Sequence, residues 1–139
     1  MRFKTQLEEN CFARYIQDVV VSTLENGGSA SRIDTYQLLK PEDVWRFPKY
    51  PGKTAILPPD VCLSVELEKF IEVNGTYLRE SECWLGTWIN PHTKHCYLDI
   101  TTSCKNLEKA QQTAPDISKK EGRKIVAIYN SKLEQIVYL

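Results

Sequence analysis

The chain has 139 residues, of which 42% are hydrophobic and 26% are charged, and its formal net charge is zero. These values are ordinary for one globular domain with its own core, and they exclude disordered, collagen-like and coiled-coil chains. A zero net charge also excludes a global field that would steer the protein onto long nucleic acid or an anionic membrane, so any anion site has to be local.

The first ten residues carry charges where a secretory signal would need an apolar segment, and the sequence has no run of about eighteen apolar residues. We therefore expect a cytoplasmic protein without a membrane partner. Its cysteines are odd in number and lack a framework spacing, which favours reduced thiols that are mostly buried. They are Cys11, Cys62, Cys83, Cys96 and Cys104.

The chain begins with a pattern typical of an amphipathic helix, because apolar residues recur at three- and four-residue steps over about residues 7–26. Gly27 or Gly28 would end this helix in a left-handed conformation, and an extended segment follows from Ser29. Residues 38–60 then contain five of the seven prolines. The two strands predicted there, VWRF and TAIL, must therefore be short.

A second helix is predicted after the proline-rich stretch. Asp60 lies where a helix N-cap would be, and apolar residues follow at helical spacing to about Val73. Asn74 and Gly75 are expected to end this helix.

A third helical region covers residues 107–121, where Pro115 is expected to kink the helix or split it into two pieces. Gly122 ends the region, and residues 123–139 predict two strands around a turn at residues 130–132. Since the connections are mostly too short for parallel crossovers, we predict a single α+β domain over residues 1–139, with an antiparallel sheet and two to three helices.

Between the second and third helices, residues 84–102 predict a β-hairpin whose alternate side chains share a face. The apolar face, which belongs to the core, carries Leu85, Thr87, Ile89, Cys96, Leu98 and Ile100. The other face carries Trp84, Gly86, Trp88, Tyr97, Asp99 and Thr101. Gly86 would leave an open slot there for another backbone or a flat ligand.

This second face has two interpretations. Asp99 is either exposed, or bonded to a neighbouring turn, and Trp88 and Tyr97 then serve packing. Alternatively the three side chains contact a ligand or a second subunit, which would explain an aspartate in a strand, where aspartate is depleted.

Metal and catalytic chemistry find little support in the sequence. His92, His95 and Cys96 include good zinc ligands, but a structural zinc site needs four ligands in close pairs, and Cys96 is predicted to face inward. No nucleophile elbow and no glycine-rich phosphate loop occurs. We expect no metal, no cofactor and no catalytic residues; an enzyme would have to assemble its site wholly from tertiary structure.

One concentrated basic cluster surrounds Gly122 and comprises Lys119, Lys120, Arg123 and Lys124. Basic residues at a helix C-terminus complement the helix dipole, which is a sufficient structural explanation. The alternative is a phosphate site in which Lys120 and Arg123 hold an anion while Trp88 or Tyr97 stacks on a base.

Five short features occur in order along the chain: NGGS at residues 26–29, LGTW at 85–88, YLDIT at 97–101, Ala110, and AIY at 127–129. In their order and spacing they resemble a family of small phage-encoded proteins, the Thoeris anti-defence sponges. The resemblance implies binding, without cleavage, of a cyclic ADP-ribose isomer or a cyclic oligonucleotide that signals infection. It also implies assembly into dimers or larger homo-oligomers with nucleotide pockets near subunit interfaces.

The leading hypothesis is thus a non-enzymatic anti-defence protein that sequesters a small nucleotide signal in the host cytoplasm and blocks activation of an effector. The ligand-binding residues that we predict are Trp88, Asn90, Tyr97, Asp99, Thr101, Lys120 and Arg123. Two alternatives remain: an inhibitor that binds a host defence protein directly, such as a CRISPR or restriction component, and a structural module without a ligand.

Overall fold

A computed structural model describes residues 5–139 and shows the α+β fold that the sequence predicts. The three α-helices are α1 (Gln6–Asn26), α2 (Leu63–Leu78) and α3 (Leu107–Glu121). The strands are β1 (Gly28–Arg32), β2 (Gln37–Leu38), β3 (Trp45–Pro48), β4 (Ala55–Leu57), β5 (Trp84–Ile89), β6 (Cys96–Cys104), β7 (Ala127–Asn130) and β8 (Gln135–Tyr138). A short 3-10 helix, Pro51–Lys53, precedes β4.

All eight strands belong to one antiparallel sheet with the order β2-β1-β5-β6-β3-β7-β8, and β4 also pairs with β6. The long strand β6 pairs with β5 along one side. Its other side is shared, because the first part of β6 pairs with β4 and the last part pairs with β3. The predicted hairpin of residues 84–102 and the terminal pair β7–β8 are both confirmed.

One face of the sheet forms the core, as the alternation in the hairpin predicts. Leu85, Leu98 and Ile100 are fully buried and pack in one cluster with side chains of α1 and α2. A second cluster packs Phe47 of β3 against α3. Phe47 pairs with Thr102, which shares a face of β6 with Ile100, so all three helices cover the same side of the sheet.

Local signals in the sequence fix the ends of α1 and α3. Gly27 follows α1 with a φ of 81° and Gly122 follows α3 with a φ of 70°, in the left-handed region that only glycine enters without strain. At the other end of α3, the Asn106 side chain accepts a hydrogen bond from the Lys109 N–H at 3.0 Å. These caps satisfy backbone groups that helix ends leave unpaired.

The predicted ends of α2 are wrong. The helix begins at Leu63 after Cys62 rather than after Asp60, and it continues through Asn74 and Gly75 to Leu78. The Asn74 side chain stays within the helix and donates to the Phe70 carbonyl at 3.1 Å, while Leu78 is fully buried. Burial of the last turn outweighs the roughly 1 kcal/mol that a glycine costs inside a helix.

The split that Pro115 predicts in α3 does not occur, because the helix runs without a break from Leu107 to Glu121. Ala114, just before the proline, is fully buried against the second core cluster. The hydroxyl of Ser118 donates to the Ala114 carbonyl at 2.9 Å and accepts from the Ile125 N–H at 2.9 Å. Tertiary packing and these hydrogen bonds compensate for the backbone hydrogen bond that Pro115 cannot donate.

The five thiols are free, but the prediction that most of them are buried is wrong. Cys83 and Cys96 are buried, Cys104 is half-buried, and Cys11 and Cys62 are exposed. Within residues 5–139, no helix combines the length and the apolar character needed to cross a membrane.

Candidate functional site

The sheet face opposite the helices gathers the polar and aromatic residues of the hairpin. Gly86 pairs with Asp99 and Trp88 pairs with Tyr97 across β5 and β6, so these side chains share one face, as the alternation predicts. The sheet curls so that β1 and β7, which are not neighbours in the sheet, approach one another over this face. We call it the concave face.

The open slot predicted beside Gly86 is absent, because Thr101 fills it. A Cβ atom built on Gly86 would lie only 1.9 Å from the Thr101 Oγ1 and 3.0 Å from its Cβ. Thr101 itself is buried. Glycine is therefore required at this position by a diagonal neighbour on β6, and the space offers no room for a ligand.

Asp99 is buried, so it is not an exposed strand aspartate, but the other structural interpretation, a hydrogen bond from a neighbouring turn, is confirmed. Its Oδ1 accepts a hydrogen bond from the Thr54 Oγ1 at 2.6 Å, and the Arg123 Nη1 donates to the Thr54 carbonyl at 2.8 Å. Burial raises the pKa of Asp99 to about 6, although the Thr54 hydrogen bond and the charge of Arg123 lower it. Asp99 thus belongs to a network that joins β6 to the segments before β4 and after α3.

Four of the predicted ligand-binding residues line one small crevice on the concave face. They are Trp88, Tyr97, Asp99 and Arg123. The two aromatic rings contact each other, with centroids 5.2 Å apart and planes at 59°. The crevice has a volume of about 60 Å³, far below the roughly 300 Å³ of the smallest typical ligand pockets, so it cannot hold a nucleotide alone.

The other predicted residues lie apart from this crevice. Asn90 shapes the β5–β6 turn, because its side-chain oxygen accepts from the His92 N–H at 2.9 Å. Lys120 is exposed in the last turn of α3, where its charge complements the helix dipole. Thr101 packs against Gly86, as described above.

A larger groove on the concave face consists mainly of residues that the sequence reasoning missed. It has a volume of about 460 Å³, within the range of small-molecule sites. The side chains and small residues that matter here are Glu25, Gly28, Lys40, Arg46, Tyr129 and Glu134. They come from the end of α1, from β1, from the segment between β2 and β3, from β3, and from β7 and the turn after it.

The wall between β2 and β3 is fixed to β7. The Asn130 Nδ2 donates to the Asp43 Oδ1 at 2.9 Å, and Asn130 is fully buried. This bond holds the segment that carries Lys40 beside the β7–β8 turn that carries Glu134. The groove is therefore bounded by parts of the chain that are remote in sequence.

Arg46 places a buried charge beside the groove, and one of its nitrogen atoms has no hydrogen-bond partner in the described part of the chain. Its side chain is only 9% exposed, and its Nη1 is buried without a hydrogen-bond partner among residues 5–139. Its Nη2 lies 3.6 Å from the Glu42 Oε1, beyond hydrogen-bond length, and its Cζ lies 5.3 Å from the Trp84 ring centroid. Burial lowers the pKa of Arg46, and the charge of Glu42 opposes that effect.

A third cavity of about 60 Å³ connects the groove to the crevice. Arg46 and Tyr129 border both this cavity and the groove, whereas Trp88 and Asp99 border both this cavity and the crevice. The aromatic pair and the unsatisfied guanidinium are thus neighbours along one face. Arg46 could have been suspected from the sequence, because alternation in VWRF places it opposite the apolar Trp45 and Phe47.

The one group of three potential metal ligands within residues 5–139 lies away from this face. Donor atoms of Glu80, Glu82 and Cys83 all lie within 4.8 Å of one another. The Lys49 ammonium forms an ion pair with Glu80 at 2.8 Å and another with Glu82, and Tyr50 donates to Glu80 at 2.8 Å. The Lys49 ammonium thus already lies between these two carboxylates and balances one of their two negative charges.

No known protein family, no curated protein and no solved structure matches this chain. The resemblance to the Thoeris anti-defence proteins therefore rests on the short motifs quoted for it.

Proposed function

We propose that the protein binds a small phosphorylated nucleotide signal in the groove and sequesters it without cleaving it. The signal would be a cyclic ADP-ribose isomer or a cyclic oligonucleotide, and its capture would keep an antiviral effector switched off. The observation that carries this proposal is the open groove of about 460 Å³ bordered by the buried and unsatisfied Arg46 guanidinium. The planar guanidinium can donate two parallel hydrogen bonds to two oxygen atoms of a phosphate.

Aromatic side chains along the same face support a ligand that contains a base. Trp88 and Tyr129 are half-buried and border the cavity beside Arg46. Stacking on such a ring contributes about 1 to 3 kcal/mol per base in nucleic-acid-binding proteins. Sequestration rather than cleavage is the mode of action that the family resemblance implies.

The family resemblance adds two parts to the proposal. The protein would act in the cytoplasm of the infected host, and it would assemble into a homo-oligomer, either a dimer or a larger assembly. Light scattering coupled to size-exclusion chromatography measures that assembly. A monomer at every concentration would contradict this part of the proposal and leave ligand binding to be judged separately.

The function can be tested by capture and release. The protein is incubated with the signal mixture from an activated TIR enzyme, washed and heat-denatured, and the supernatant is analysed by mass spectrometry. We expect an intact cyclic nucleotide in the supernatant. Recovery of no nucleotide, or of a hydrolysed product only, would contradict sequestration.

Variants connect the capture to the concave face. Trp88→Ala should weaken binding of the captured nucleotide by about 1 to 3 kcal/mol if its ring borders the base. Tyr138→Ala is the control, because Tyr138 is an exposed aromatic residue of β8 that does not border the groove. Stable co-purification with one host defence protein, without nucleotide affinity, would favour the direct inhibitor instead.

A further inference from the structure

We propose that the groove is specific for a phosphoester of a sugar, with the phosphoryl group on Arg46 and the sugar hydroxyls against Glu25 and Glu134. The inference rests on the proposed function in using the same groove, and it names the chemical class that the groove recognises. A sugar phosphate is the part shared by every nucleotide, so this recognition does not depend on the base.

Arg46 carries a buried hydrogen-bond donor that has no partner among the described residues. A guanidinium offers five N–H donors; on Arg46 the buried Nη1 has no hydrogen-bond partner among residues 5–139, and Nη2 lies 3.6 Å from the Glu42 Oε1. A buried charge without hydrogen-bonded compensation is costly, so the site favours an anion that supplies the missing acceptors. The Trp84 ring, 5.3 Å from the Cζ atom, covers one side of the guanidinium, so an anion would approach along its edge.

Glu42 provides the carboxylate that lies next to the Arg46 guanidinium. Its Oε1 lies 3.6 Å from the Arg46 Nη2, and its own side chain is 54% exposed. At that distance Glu42 screens the charge of Arg46 without satisfying its donors. Glu42 is therefore an internal counter-ion that a ligand phosphoryl group would displace towards solvent.

The groove carries charges of both signs. Glu25 and Glu134 carry negative charge and Lys40 and Arg46 carry positive charge, so these four side chains sum to zero. A bare polyanion would meet two carboxylates at the rim. A sugar phosphate would instead donate its hydroxyls to those carboxylates, as ribose hydroxyls do to an acidic residue in dinucleotide-binding folds.

Three small probes test the two halves of this inference. Ribose 5-phosphate, inorganic phosphate and ribose are titrated separately at constant ionic strength, and binding is followed by NMR chemical-shift changes. We expect ribose 5-phosphate to bind more tightly than phosphate, and phosphate more tightly than ribose. Equal affinity for ribose 5-phosphate and phosphate would overturn the sugar contact.

Variants of Arg46 and Glu42 identify the anion contact. Arg46→Gln should weaken ribose 5-phosphate binding roughly ten- to a hundredfold, and Arg46→Lys should restore only part of it, because lysine lacks the planar fork. Glu42→Gln should tighten binding by about two- to fivefold, since the competing counter-ion is gone. If Arg46 had only a structural role, Glu42→Gln would not tighten the binding of ribose 5-phosphate. Unchanged affinity in Arg46→Gln would overturn the anion contact. Arg14→Gln, at an exposed position on α1, is the control.

A variant of Glu134 identifies the sugar contact. Glu134→Gln should lower the preference for ribose 5-phosphate over phosphate by about threefold or more, because a neutral acceptor bonds hydroxyls less strongly than a carboxylate does. Glu108→Gln on α3 is the matched control, since Glu108 is exposed and outside the groove. An unchanged preference in Glu134→Gln would overturn the placement of the sugar.

The outcomes separate this inference from the proposed function. Binding of ribose 5-phosphate that depends on Arg46, together with no capture of a cyclic nucleotide, would sustain the inference and reject the sequestering role. Capture of a cyclic nucleotide that is equally tight in Arg46→Gln would sustain the sequestering role and reject the phosphoryl contact with Arg46.

Discussion

The phenol oxygen of Tyr15 on α1 lies 2.6 Å from the hydroxyl oxygen of Ser31 on β1, and both residues are almost completely buried. This hydrogen bond joins the first helix to the strand that follows it. Burial raises the pKa of Tyr15 to about 12, although the Ser31 hydrogen bond partly lowers it. The phenol therefore stays protonated throughout the physiological range.

Tyr15→Phe should lower the free energy of unfolding by about 1 to 3 kcal/mol, because the Ser31 hydroxyl loses its partner inside the core. Urea denaturation measures the change. The double variant Tyr15→Phe with Ser31→Ala should cost less than the sum of the single variants, since neither partner is then left unpaired. Strict additivity would show that the two hydroxyls are not coupled.

Gly86→Ala should destabilise the sheet, because its methyl group would overlap the Thr101 side chain. We expect a loss of about 1 to 3 kcal/mol, the usual cost of overpacking, in urea denaturation. Adding Thr101→Ala should recover part of the loss by removing the Oγ1 atom, whereas Thr101→Val should not. If both double variants unfold alike, the overlap is not the cause.

Asp99 should make stability depend on pH with a sign opposite to that of a salt-bridged aspartate. Its pKa is about 6 in the folded protein and about 3.9 in an unfolded chain, so the folded state binds the proton more tightly. The free energy of unfolding should thus fall by about 2 kcal/mol as the pH rises from 4 to 7, and change no further above that.

Asp99→Asn should remove this dependence, because the amide does not titrate and still accepts from Thr54. The measurement is urea denaturation of both proteins between pH 4 and pH 7, and the difference between them isolates Asp99 from other groups. Asp116→Asn, at an exposed position on α3, is the control. A difference that stays constant with pH would mean that Asp99 titrates normally.

Arg32 on β1 should stabilise the chain reversal after α2. Its Nη1 donates to the carbonyls of Glu80, Ser81 and Cys83 at 3.0, 3.3 and 2.8 Å. Arg32→Ala should cost about 1 to 3 kcal/mol in chemical denaturation, since the partly buried carbonyls of Glu80 and Cys83 lose a charged donor.

The ion pair of Arg32 with Asp34 provides the comparison. The Asp34 side chain is 41% exposed, so Asp34→Asn should cost less than about 1 kcal/mol. A loss in Asp34→Asn as large as that in Arg32→Ala would show that the ion pair, and not the contact with the carbonyls, carries the stabilisation.

Much of the fold could be predicted because its signals are local. Alternation in β5 and β6 correctly assigns Leu85 and Leu98 to the core, and Gly27 and Gly122 mark the ends of two helices. The end of α2 could not be predicted in this way. Asn74 and Gly75 are typical of a helix end, but the buried Leu78 draws one more turn of helix into the core.

The candidate site was predicted only in part, because its geometry depends on long-range pairing. One crevice contains four of the predicted residues: Trp88, Tyr97, Asp99 and Arg123. The alternation in the hairpin predicts that the first three share a face, and the basic cluster supplies Arg123. The groove beside Arg46 exists because the sheet curls, and no local pattern reports a curl. The same limit explains Gly86, since only the register of β6 shows that Thr101 occupies its space.

The position of β6 in the sheet has a consequence for folding. Its pairing with β5 is local, but β1 must wait for β5, and β3 must wait for β6, as Gly28 pairs with Trp88 and Trp45 with Cys104. During synthesis, the early strands therefore emerge from the ribosome long before their partners. Such remote closures slow folding and leave strand edges unpaired. The β5–β6 hairpin is accordingly the segment on which the rest of the sheet would assemble, and substitutions there should slow refolding more than substitutions in β8.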